Sequence, residues 1–311
     1  MKAVILGNTN LNYSWFVKTY RQGLQKNGVE VHQIDYKSTP LMTIKQKLMS
    51  LKADMVFTHL TFHAHINPTA AVLQMYRDVH KKVGTIFCHT CNDARTQDRY
   101  MGSVEGAYQV AFVGTYPLAT NCQAAWKIPV HYMPYSSLCY DSMAKPDPAL
   151  AFQSPVFTGS PGAHRTGWAD NRAKFIMDLQ RIMTISIFKT QSAGDLRSKS
   201  HVLSASARCI LGLCVGYEIP GYIDVRPFQY LGSGACMIMR TYPNTDWILP
   251  EDLYYSIDGY DMSDAYLVKG FHEEILKTDT TAMRKNAFQY IQEQHSCKVR
   301  MAEVLQRIKE I

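Results

Sequence analysis

The sequence predicts an α/β protein of two domains, each built on a mainly parallel, doubly wound sheet. Three observations carry that prediction. At 311 residues the chain exceeds what one hydrophobic core usually holds. Short apolar runs alternate with helical stripes over the first 133 residues, as in strand–helix–strand units. A proline-rich break follows, and then the alternation resumes.

The first strand is expected at 2–6, bounded by Gly7-Asn8. Trp15, Phe16, Tyr20 and Leu24 recur at helical spacing up to a stop at Asn27-Gly28. A second strand spans 29–34, and Ile44, Leu48 and Leu51 mark the next helix. The third strand covers 55–60. Pro68 can open the helix carrying Ala71, Val72, Met75 and Val79. The fourth strand is read at 83–87, with His89-Thr-Cys-Asn-Asp93 just past its end. Strands at 110–113 and 130–133 flank a helix over 117–126.

From 134 to 161 there are five prolines and little periodicity. Beyond them the expectation is a strand at 156–158, a helix over 169–183, a strand at 185–188 and a helix over 200–213. A helix opening near Asp224, a strand at 235–239, a strand near Tyr254-Tyr255, a helix over 264–276 and a helical tail from 280 complete the reading.

Composition sets limits. With 46% hydrophobic and 19% charged residues the chain is globular, not disordered. No apolar run reaches the roughly 18 residues of a membrane span. The opening Met-Lys-Ala-Val-Ile-Leu-Gly reads as a buried strand, so a cytoplasmic protein is expected. The eight cysteines suit reduced residues in packed cores, with Cys88 and Cys91 spaced like half a zinc knuckle as the alternative. Residues 1–150 hold 15 Lys and Arg against 9 Asp and Glu, while 151–311 hold 18 against 17. A basic first half suits an acidic partner such as DNA, or simply keeps the protein soluble.

Gly7-Asn8 lacks the G-x-G-x-x-G pattern, which argues against a dinucleotide site. The turn Gly159-Ser160-Pro161-Gly162 is more informative, because few side chains crowd it and its amides can face a phosphate. His164, Arg165 and Lys189 lie nearby as positive groups, and exposed loop residues are the bland alternative. In the segment from Asp224 to Gly234, Arg226, Gln229 and Ser233 fall three and four apart, which puts polar groups on one helical face. Arg226 can meet a phosphate, Gln229 can bond sugar or ribose hydroxyls, and Gly232 and Gly234 end the helix and leave room for a ligand. In the first half His59, His63, His65, His89 and Asp93 gather near the ends of strands three and four, where ligands bind such sheets. Asp93, then His89, is the group expected to orient an acceptor or take its proton. No diagnostic metal-ligand set is present.

The segment Gly221-Tyr-Ile-Asp-Val-Arg-Pro-Phe-Gln-Tyr-Leu-Gly-Ser-Gly-Ala235 resembles the donor-binding signature of GT-B glycosyltransferases, closest to the CgeB-like, spore-maturation branch. The resemblance implies two Rossmann-like domains facing a cleft. An acceptor domain would span 1–145, a nucleotide-sugar domain 146–285, and a terminal helix over 286–311 would cross back to the first domain. His164, Arg165 and Lys189 match positions that neutralise a nucleotide diphosphate, and His89–Asp93 resembles the acceptor-side loop. The family's glutamate near the donor is replaced here by Gln229. Metal-independent, retaining transfer from a UDP- or GDP-sugar is implied, with Arg165 and Lys189 stabilising the leaving diphosphate.

Viral DNA-glycosylating enzymes share this architecture, so a hydroxymethylated DNA base is one implied acceptor, with a glycan, a protein or a small molecule as the others. Lys81, Lys82, Arg95 and Arg99 would then meet DNA phosphates and Tyr100 would stack. A viral source would place the protein in the host cytoplasm. Two competing readings are an inactive nucleotide- or nucleic-acid-binding module, which Gln229 favours, and a nucleotide-sugar epimerase needing no acceptor.

Overall fold

The structure is a computed structural model, and it describes residues 1–7, 15–59, 70–91, 104, 106–159, 168–188, 200–214, 219–242 and 246–311. The chain divides into two compact units. The first holds Met1–Leu138, Ile219–Tyr222 and Cys297–Ile311, and the second holds Cys139–Glu218 and Ile223–Ser296.

In the first unit the described strands are β1 (Lys2–Gly7), β2 (Glu30–Asp35), β3 (Met55–His59), β4 (Ile86–Cys91), β5 (Val110–Val113) and β6 (Val130–Tyr132). They form one sheet in the order β2-β1-β3-β4-β5-β6, and every pair is parallel. Side chains alternate across it. Ala3, Ile5, Met55, Phe57, Cys88, Val110 and Phe112 pack with α1 (Trp15–Lys26) and with the last helix, α10 (Cys297–Lys309). Val4, Leu6, Val56, Phe87, Cys91, Ala111 and Val113 fill the opposite face beneath α2 (Leu41–Leu51), α3 (Ala70–Val83) and α4 (Tyr116–Trp126). Burial on both faces explains why these strands read as continuous apolar runs.

Two local differences from the sequence reading follow from that burial. Val83 closes α3, and β4 runs on to Cys91, so His89-Thr90-Cys91 lies inside the strand and not beyond it. Thr90 is accommodated there because its hydroxyl finds a partner, donating to the Thr58 carbonyl at 2.7 Å. Cys88 and Cys91, an odd number of residues apart on one strand, point to opposite faces and cannot share a metal ion.

The second unit repeats the topology. Its strands are β7 (Val156–Thr158), β8 (Ser186–Phe188), β9 (Ile210–Gly212), β10 (Met237–Arg240) and β11 (Tyr255–Ile257), all parallel, in the order β11-β10-β9-β7-β8. Phe157, Leu211, Leu213, Ile238 and Ile257 pack beneath α5 (Trp168–Ile182) and α8 (Met262–Lys277), through Phe175, Ile176, Leu179, Ala265, Val268 and Ile275. The remaining helices are α6 (Ser200–Ser206), α7 (Val225–Leu231) and α9 (Thr281–His295). The expected helix over 200–213 is instead α6, a turn and then β9, the central strand. Its fully buried run Cys209-Ile-Leu-Gly-Leu213 shows no period of its own, so pattern alone cannot separate it from a buried helix. The helical tail is two helices, α9 in the second unit and α10 in the first, parted at Ser296.

Candidate functional site

In both sheets the first strand lies between the second and the third, so the direction in which strands are added reverses between β1 and β3 and between β7 and β9. Ligands of open parallel sheets bind outside the carboxyl ends of the strands at that reversal, where the loops diverge. In the first unit the chain leaving β1, β3 and β4 there, at 8–14, 60–69 and 92–103, lies outside the described residues, and Asp93, His63, His65, Arg95, Arg99 and Tyr100 with it. His89 is described: only 2% exposed, it sits edge-on to Tyr108 (5.2 Å) and Trp126 (4.8 Å) in the core. Lys81 and Lys82 end α3 just before β4 begins, which puts them at the amino edge of the sheet, away from the carboxyl ends.

At the carboxyl edge of the second unit the described residues converge. Thr158 ends β7 and Gly159 follows with φ +136°, a conformation that L side chains rarely adopt. Asp224 is the N-cap of α7, its Oδ1 accepting the Arg226 amide at 3.0 Å. Its Oδ2 accepts Arg226 Nη1, also at 3.0 Å. Arg226 Nε donates to the Thr158 carbonyl at 3.3 Å, and Nη2 lies over Gly159, where an added Cβ would be only 2.7 Å away. Burial is the largest single influence on Arg226 and works to lower its pKa, but the Asp224 carboxylate together with Cys214 and Tyr230 outweighs it and holds the guanidinium above its ordinary range.

Arg172, Arg240 and Tyr260, which the sequence reading missed, extend this corner. Arg172, 3% exposed on α5, stands 5.9 Å from the Phe157 ring, and Arg226 stands 6.0 Å from the same ring. Burial, and then the charge of Arg226, lower the Arg172 pKa. The Tyr260 hydroxyl donates to the Cys214 carbonyl at 2.8 Å, just past β9, while Arg240, closing β10, stacks on the Tyr260 ring at 5.6 Å. Among the described residues this edge therefore brings together three guanidinium groups. The signal for Arg172 was present in the sequence: it shares the helical stripe of Phe175, Ile176 and Leu179, and a cation on a core-facing stripe needs a reason.

The other expected donor residues fall in two groups. Ser160, Gly162, His164, Arg165 and Lys189 lie outside the described residues. Gln229 is 4% exposed on α7, its Nε2 without a hydrogen-bond partner among the described residues. The expectation that Gly234 leaves room for a ligand is corrected. Gly234 (φ +83°) has Met143 packed where its Cβ would be, and its carbonyl accepts Arg284 Nε at 2.8 Å. Gly232 offers its carbonyl to Gln292 at 2.7 Å. Among the described residues no group of three His, Cys, Asp or Glu side chains is arranged to hold a metal ion, and no helix is long and apolar enough to cross a membrane.

Two parallel α/β units, each with its first strand between its second and third, have the GT-B fold. Among solved structures the chain is similar to an alpha-glucosyltransferase in complex with UDP and a 13-mer DNA containing an HMU base (11% identity, TM-score 0.67, 99% of each chain covered). It is also similar to T4 phage BGT in complex with its UDP-glucose substrate (10%, 0.59, 100% of both chains). A third likeness is to a glycosyltransferase from Rickettsia africae (11%, 0.59, 99% of this chain and 97% of that one). No protein-family model matches the chain, and no curated protein matches it by sequence.

Proposed function

We propose that the chain is a nucleotide-sugar-dependent glycosyltransferase, with the second unit holding a UDP- or GDP-sugar and the first the acceptor. The observation that carries this reading is the Arg226 fork. Asp224 and the Thr158 carbonyl fix two of its nitrogens, so Nη2 is presented at Gly159. A diphosphate held beside Gly159 would meet a pre-oriented guanidinium.

Transfer breaks the bond between sugar carbon one and the diphosphate oxygen. Positive charge develops on the sugar and negative charge on the leaving group. Arg226, Arg165, Lys189 and the turn amides would stabilise that leaving diphosphate, and cationic side chains in this role make the reaction metal-independent. In retaining transfer the departing phosphate oxygen accepts the proton of the acceptor hydroxyl, and Asp93 orients that hydroxyl. His89, enclosed by aromatic rings in β4, is set aside as the base. Gln229 replaces the glutamate of the CgeB-like branch, and its buried amide could still bond a ribose hydroxyl.

A hydroxymethylated base in DNA is our preferred acceptor. The excess of Lys and Arg in residues 1–150 supports it, as does the likeness to an alpha-glucosyltransferase complexed with HMU-containing DNA. Because Lys81 and Lys82 lie at the far edge of the sheet, the phosphate contacts fall to Arg95 and Arg99.

A thermal-shift panel of nucleotide sugars, followed by transfer assays, tests the reading. A true donor at a hundred times its Kd should stabilise the protein by about 2.7 kcal/mol. Sugar should then move to hydroxymethylated DNA, and alanine at both Arg165 and Lys189 should abolish transfer. Sugar conversion without any acceptor would mean an epimerase, and binding without turnover would mean the inactive module that Gln229 favours.

A further inference from the structure

The residues Ile219–Tyr222 belong to the first unit, although the chain on both sides of them belongs to the second. What holds them is specific. Tyr116 opens α4, and the first amides of a helix have no acceptor within it. The Tyr116 amide is taken up by the Pro220 carbonyl at 3.1 Å. The Tyr132 hydroxyl, at the end of β6, donates to the Gly221 carbonyl at 2.6 Å. The two tyrosine rings pack against each other, 4.6 Å apart, and Gly221 lies against Tyr116 so closely that a Cβ would fall 2.8 Å from the ring. Gly221 also has φ +76°, and the Tyr222 amide closes the turn on the Ile219 carbonyl at 3.0 Å. Ile219 and Tyr222 are buried and pack with Tyr135.

This four-residue turn ends one residue before Ile223, which is itself only 1% exposed, and two before Asp224, the N-cap of α7. A chain that short has little slack, so wherever the turn is held, the start of α7 is held too. α7 is only seven residues long, too short to be stable by itself, so its conformation depends on what fixes its ends.

We propose that Tyr116 and Tyr132 are positioning residues. By clasping Ile219–Tyr222 they hold the first turn of α7, and with it Asp224 and Arg226, in the conformation that receives the donor diphosphate. Only the last clause rests on the proposed function; the clasp and its effect on α7 do not.

Amide hydrogen exchange on the intact protein without ligand tests the clasp, comparing wild type with Tyr132→Phe and Gly221→Ala. Tyr132→Phe removes one hydrogen bond and keeps the ring, while Gly221→Ala drives a methyl group into Tyr116. Peptides covering 223–235 should exchange faster, by about fivefold for the loss of one hydrogen bond, with β10 and α5 unchanged. The Kd for UDP should rise in the same ratio, with the melting temperature hardly moved in Tyr132→Phe and lowered in Gly221→Ala. Wild-type exchange at 223–235 in both variants would overturn the proposal, as would an increase spread evenly over the second unit. Should the wild-type protein take up neither UDP nor GDP, the donor reading fails, and the exchange data alone still decide the clasp.

Discussion

Replacing Arg226 by alanine is expected to weaken UDP-glucose binding by about a hundredfold, the 2 to 3 kcal/mol of a charge-assisted contact to phosphate. The same change leaves the Asp224 carboxylate, 11% exposed, without its cation. That second effect should cost about 2 kcal/mol, below the full value for a buried pair because both groups keep some solvent. It corresponds to about 5 °C in melting temperature for a unit of this size. Two further variants separate the effects. Asp224→Asn keeps the cap on the Arg226 amide but removes the ion pair that orients the guanidinium, so stability should fall and UDP-glucose affinity should drop by a smaller factor than in Arg226→Ala, because the Thr158 carbonyl still holds Nε. Arg226→Lys keeps a charge but loses the fork, and should recover about tenfold of the lost affinity. Equal loss of affinity in Asp224→Asn and Arg226→Ala, read by calorimetric titration, would mean that Arg226 serves only to hold Asp224.

Gly159→Ala is the second large effect. At φ +136° any L residue is strained, by about 1 to 3 kcal/mol. The added methyl group would also stand 2.7 Å from Arg226 Nη2 and push the guanidinium from its seat. Stability and nucleotide affinity should therefore fall together. In an Arg226→Ala background the contact is gone, so the affinity losses of Gly159→Ala and Arg226→Ala should be less than additive. Strict additivity of the two would show that Gly159 acts through the turn alone.

The alternation of strand and helix, the two-unit plan and the α7 cap at Asp224 were legible because each follows from local pattern. What escaped was decided by tertiary burial. β4 reaches Cys91 because Thr90 finds a backbone acceptor inside the sheet, which no propensity reports. β9 hid in an apolar run that suits a buried helix equally well. Gly234 reads as space in sequence and is filled by Met143 in the fold. The return of Ile219–Tyr222 to the first unit depends on Tyr116 and Tyr132, 89 residues or more away in sequence, and has no local signature. The site was legible in part: the sequence found Gly159, Asp224 and Arg226, which the structure joins, and it missed Arg172 and Arg240, whose places depend on the rings of Phe157 and Tyr260.

The central claim is that the carboxyl edge of the second sheet is a cradle for diphosphate, and amide exchange in the presence of UDP or uridine tests it most directly. UDP should protect peptides covering 156–159 and 223–231, and uridine at the same concentration should leave them nearly unchanged. Equal protection by the two compounds, or protection by UDP confined to other parts of the chain, would contradict the account.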